Sequence, residues 1–94
     1  MLIKEDKMAS TLVHLYRIAI YESDGENLGE LVGYKSIDGD ITEETEYIQY
    51  YSSEQAAGAD IDNSDELELG MRDVIEPVLF DTEDTLNLNI KYLN

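Results

Sequence analysis

His14 is the one histidine of the chain and there is no cysteine, so metal ligation or nucleophilic catalysis has few side chains to draw on. Zinc would need a site built mostly from carboxylates, which is uncommon. A hydrolytic triad would need His14 as its base. Its nucleophile would be one of Ser10, Ser23, Ser36, Ser52, Ser53 or Ser64. None of these lies in a Gly-x-Ser-x-Gly turn. A carboxylate pair for glycoside chemistry can always be chosen from 22 acids, so such a pair has no diagnostic value.

The acidic loops fail as calcium loops. "DIDNSDELE" sets Asp60, Asp62 and Ser64 at alternate positions, but its sixth position is Asp65 instead of glycine and its twelfth is Met71 instead of glutamate. "DGDITEETE", counted from Asp38, puts Glu43 and Gln49 at those positions. "GENLGE" lacks the third glycine and the lysine of a phosphate loop and is acidic where phosphate would sit. The residues therefore point to no catalytic group, no metal and no cofactor.

Charge is the distinctive property. The 94 residues carry a net charge of −16, and from Ser36 to Met71 there is no Lys, Arg or His. The acids of that block are Asp38, Asp40, Glu43, Glu44, Glu46, Glu54, Asp60, Asp62, Asp65, Glu66 and Glu68. Such a block repels DNA, RNA and anionic membranes and attracts basic proteins. Within it, "EETEYIQYY" places Tyr47, Tyr50 and Tyr51 beside Glu43, Glu44 and Glu46. Rigid aromatic area next to steering carboxylates is the composition of a protein-binding surface. The competing reading makes the tyrosines core and the acids a solvated face.

The elements that must position these residues read as follows. "TLVHLYRIAIYE", from Thr11 to Glu22, alternates as a central strand, and "LVGYKSI", from Leu31 to Ile37, reads as its hairpin partner across the turn-rich "SDGENLGE". Thr42 to Gln55 fits an amphipathic helix or a strand; the preceding Asp-Gly and the Tyr/Ile content favour a strand through Tyr51. "SSEQAAGADIDNSD" reads as a loop with one helical turn at most, from Ser53 to Ala57. Leu67, Met71, Val74 and Val78 fall at helical spacing, which predicts a helix from Asp65 to Leu79 in spite of Gly70 and Pro77. "TLNLNIKYL" alternates as a half-buried strand, with Leu86, Leu88, Ile90 and Tyr92 on one face. The expected fold is α+β, a small antiparallel sheet of three or four strands packed against one helix. Residues 1–10 are expected to be a flexible leader and 11–94 a single acidic domain.

The reading that follows is a small non-enzymatic protein that offers carboxylates to the basic groove of a nucleic-acid-binding protein. The partner-binding residues expected are Asp38, Asp40, Glu43, Glu44, Glu46, Tyr47, Tyr50, Tyr51, Asp60, Asp62, Asp65, Glu66 and Glu68. Alternate carboxylates on a strand stand about 6.6 Å apart, near two axial phosphate steps of about 3.4 Å. In size, acidity and lack of catalytic equipment the chain resembles the nucleic-acid-mimic inhibitors of phages and mobile elements, including anti-CRISPR and anti-restriction proteins. That resemblance is one of composition and implies inhibition by occupancy, with no direct binding to nucleic acid or membrane. Two alternatives are an acidic accessory or assembly domain that binds a basic protein without mimicry, and a halophilic protein with a solubilising acidic surface. The lack of cysteine suits a cytoplasmic location.

Overall fold

The computed structural model describes residues 11–62 and 70–92. Strand β1 (Leu12–Ser23) is the spine of a six-stranded sheet that curls into a half-barrel. Its β-branched and aromatic residues alternate as the sequence predicts. β5 (Met71–Asp81) pairs with it antiparallel along its length, from Leu12↔Asp81 to Glu22↔Met71. The opposite edge of β1 is shared end to end. β2 (Leu28–Lys35) takes Ala19 to Ser23, and β4 (Gln49–Tyr51) takes Tyr16 and Arg17. β3 (Ile41–Thr42) lies outside β2, and β6 (Asn89–Lys91) runs parallel to β4. Among the described residues the one α-helix is α1 (Glu54–Asp62), and 3₁₀ turns occupy Thr45–Tyr47 and Thr82–Asn87.

This corrects the expected three- or four-stranded sheet on one helix in three places. Strand accounts for 55% of the described residues, so the sheet, and not a helix layer, organises the core. First, residues 71–79 are strand and Gly70 is a turn; residues 65–69 of the expected helix lie outside the described residues. Pro77 explains the outcome. In a helix interior it would remove a hydrogen bond and clash with the preceding turn, whereas β5 pairs with β1 alone among the described residues, and an edge strand accommodates a residue with no N–H. Gly70, instead of weakening a helix, adopts φ +92° and accepts a 2.8 Å bond from the Ser23 amide as the chain enters β5.

Second, residues 54–62 of the expected loop form α1, well beyond the single turn expected at Ser53 to Ala57. Ser53 Oγ accepts from the Ala56 amide at 3.1 Å, the bond of an N-cap, and Glu54 stands in the first turn. Third, the strand expected through 42–51 is broken by the 3₁₀ turn, and the last strand is shortened by the other. Leu88 and Ile90 pack on the core as expected, but Leu86 is 84% exposed and Tyr92 65%.

Both faces of the sheet are apolar. On one, Ile18 and Tyr51 meet Ala56 and Ala57 of α1, with Tyr16, Ile61 and Ile75 around them. On the other, Leu15, Ile48 and Tyr50 pack with Val13, Tyr34, Phe80, Leu88 and Ile90. The Tyr50 and Phe80 rings meet edge to face at 5.2 Å. β3 closes tightly over β2 because Gly33 has no side chain: a Cβ there would stand 2.6 Å from Ile41 Cγ2 and 2.9 Å from the Thr42 carbonyl oxygen.

Candidate protein-binding surface

The acidic connector is built around the end of β2. Ser36 is buried and organises the first turn: its hydroxyl accepts from the amides of Asp38 and Asp40 at 3.2 and 3.1 Å, and its own amide donates to the Asp40 carbonyl at 2.8 Å. The chain then forms β3 on one side of β2 and crosses to the other side, where Ile48 bridges Ser36. On this crossing Thr42 Oγ1 accepts from the Glu44 amide at 3.1 Å, and the Tyr47 amide donates to the Glu44 carbonyl at 3.0 Å. The Ile37 amide donates to the Tyr47 carbonyl at 3.0 Å, which ties the turn and the crossing together. Asp38, Asp40, Glu43, Glu44 and Glu46 are thus gathered at one end of the sheet, all exposed.

The three tyrosines separate. Tyr50 and Tyr51 are core, 1% and 0% exposed, and are not available to a partner, contrary to expectation. Tyr47 is 47% exposed, beside Ile37 at 45%. The expected strand spacing of Glu44 and Glu46 does not apply, because Thr45–Tyr47 is a 3₁₀ turn in which alternate side chains do not share a face.

Asp60 and Asp62 lie on α1, away from the connector in the chain, and Asp60 has a structural role. Tyr51 Oη donates to Asp60 Oδ2, and Lys91 Nζ donates to Asp60 Oδ1 at 3.3 Å. Burial pushes the Asp60 carboxyl up, but the Tyr51 hydrogen bond and the charges of Lys35 and Lys91 outweigh it and hold it below the usual range. The Tyr51 phenol is pushed far up, by burial first and then by Asp60. Asp73, on β5, is raised by burial against the pull of Lys35. Asp62 is exposed. Asp65, Glu66 and Glu68 lie outside the described residues.

Arg17, Lys35 and Lys91 act on carboxylates outside the connector. Arg17 Nε pairs with Glu76 Oε1 at 3.1 Å, and its guanidinium lies 4.2 Å from the Tyr34 ring centroid. Tyr21 Oη donates to Glu76 Oε2 at 2.6 Å, and that bond is the main reason its phenol is raised. Lys91 binds Asp60, and Lys35 acts on Asp60 and Asp73. Arg72 is exposed on β5, across β1 from β2.

Among the described residues no group of three or more His, Cys, Asp or Glu side chains is placed to hold a metal ion. His14 is exposed on β1. No described helix is long and apolar enough to cross a membrane. Sequence reasoning missed Ile37 as a companion of Tyr47; the signal that could have found it is its place directly before the Asp38-Gly39 turn. Comparison with known protein families, characterised proteins and solved structures finds no match to the chain.

Proposed function

We propose that this chain is a non-enzymatic acidic ligand for the basic surface of a nucleic-acid-binding protein, and that it inhibits or regulates that protein by occupying the place of nucleic acid. The observation that carries this reading is the gathering of Asp38, Asp40, Glu43, Glu44 and Glu46, all exposed, at one end of the sheet. No basic residue lies between Ser36 and Met71 to neutralise them. Exposed carboxylates held on a hydrogen-bonded connector suit a row of Arg and Lys side chains, with which they form charge-assisted, bidentate bonds.

The partner is to be captured from a lysate of the native host, and its own nucleic acid then competed with purified chain. The chain should displace that nucleic acid, and association should slow as salt is raised. The quadruple variant Asp38→Lys, Asp40→Lys, Glu44→Lys, Glu46→Lys should keep the fold, because the Ser36 bonds run to the backbone amides of residues 38 and 40, not to their side chains. It should associate slowly and displace nothing. A partner that holds this chain and its nucleic acid at the same time refutes occupancy.

A further inference from the structure

We infer that the groove this chain enters is one made for single-stranded nucleic acid, in which Tyr47 takes the place of an unstacked base while the carboxylates take the places of phosphates. The inference rests on the occupancy reading above and specifies the class of partner. A duplex keeps its bases stacked inside and turns its phosphates outward, so a groove for duplex backbone offers cations and no slot for a ring. A single-strand groove adds aromatic rings or Arg planes on which splayed bases stack. The end of β2 presents both features in one place. The Tyr47 ring follows Glu44 and Glu46 directly in the chain and is 47% exposed, although Tyr50 and Tyr51, three and four residues later, are fully packed.

Its backbone is held at two points, by its amide on the Glu44 carbonyl and by its carbonyl on the Ile37 amide, both at 3.0 Å. A ring on a fixed backbone loses little freedom on stacking. Ile37, whose amide makes that bond, is 45% exposed and adds apolar surface to the same acidic connector. The partner this surface fits is a protein whose cationic groove is interleaved with stacking rings.

The test uses two probes: an OB-fold single-strand-binding protein loaded with fluorescent oligo-dT, and a helix-turn-helix repressor loaded with its fluorescent duplex operator. The wild-type chain should release oligo-dT at lower concentration than operator. Tyr47→Ala should raise the concentration needed by about 5- to 150-fold, the range of one base stacked on an aromatic ring. Tyr47→Phe should match the wild type, and Glu44→Gln with Glu46→Gln should weaken release and flatten its salt dependence. If operator alone is released, or if Tyr47→Ala releases oligo-dT as well as the wild type does, occupancy stands and the single-strand inference is overturned. If neither probe is released, the single-strand inference is overturned, and occupancy is decided on the partner captured from the host. Unchanged melting of each variant shows that the loss is one of binding, since Tyr47 is outside both packed clusters.

Discussion

Replacing Tyr51 with phenylalanine isolates the bond that ties α1 to the sheet. The ring is 0% exposed and remains in place, so the apolar packing against Ile18, Ala56 and Ala57 is kept. What is lost is the hydroxyl that donates to Asp60 Oδ2. Hydrogen bonds to a charged partner contribute about 1.5–3 kcal/mol. Asp60 keeps Lys91 at 3.3 Å, and its side chain is 20% exposed, so water reaches it and the loss belongs at the lower end, about 1.5–2 kcal/mol. For a chain of this size each kcal/mol moves the melting temperature by about 4 °C, which gives a fall of about 6–8 °C at pH 7.

The acid limb supplies a second reading of the same bond. The Asp60 carboxyl is held below its ordinary 3.8 in the folded chain, so its contribution to stability is complete above that pH and is lost as pH falls through the folded value. The gap between Tyr51→Phe and wild type should therefore close progressively below pH 3.8. Thermal melts followed by circular dichroism at a series of pH values test both claims, and a cycle with Asp60→Asn isolates the pair. Equal melting temperatures at pH 7, or a gap that does not narrow in acid, would refute the assignment of Asp60 as the clasp.

Gly33→Ala should cost about 1–3 kcal/mol in urea melts, because the new Cβ meets Ile41 and the Thr42 carbonyl; adding Ile41→Ala should recover only part of this, since the backbone oxygen stays. Asp73→Asn should raise the melting temperature at pH 7. Burial raises the folded carboxyl above 3.8, so its contribution is favourable below that pH and lost as pH rises, and the gain from the variant should vanish in acid. Pro77→Thr should restore an N–H to an edge strand and increase self-association in sedimentation runs at high salt, where the −16 charge is screened; monomers at all concentrations would show that the proline does not guard this edge.

Some of this protein is legible in its residues alone. The alternation of residues 12–22 specifies a central strand because a strand with two apolar faces has few other arrangements, and both faces are filled, one by α1 and one by Tyr50, Phe80 and their neighbours. The Asp24-Gly25 turn is equally local: Asp24 Oδ1 accepts from the amides of Glu26 and Asn27 at 3.0 and 2.8 Å, and Gly25 adopts φ +103°. The absence of bases between residues 36 and 71 holds for any fold, so the charge of the connector is independent of how the chain folds.

The tertiary structure decided the rest. Residues 71–79 satisfy a helical spacing as well as a strand, and the choice was made by pairing with β1 about 50 to 65 residues earlier, a non-local contact that no window of sequence contains. α1 carries its buried face on two alanines, Ala56 and Ala57, too little apolar surface to announce a helix, and it forms because Ser53 caps it and Ile18 and Tyr51 lie beneath it. The division of Tyr47 from Tyr50 and Tyr51 follows from the 3₁₀ turn at Thr45–Tyr47, which ends just before Ile48 and Tyr50 enter one core and Tyr51 the other. Identical side chains within five residues were given opposite environments by where the chain joins the sheet, and that choice is a property of the sheet as a whole.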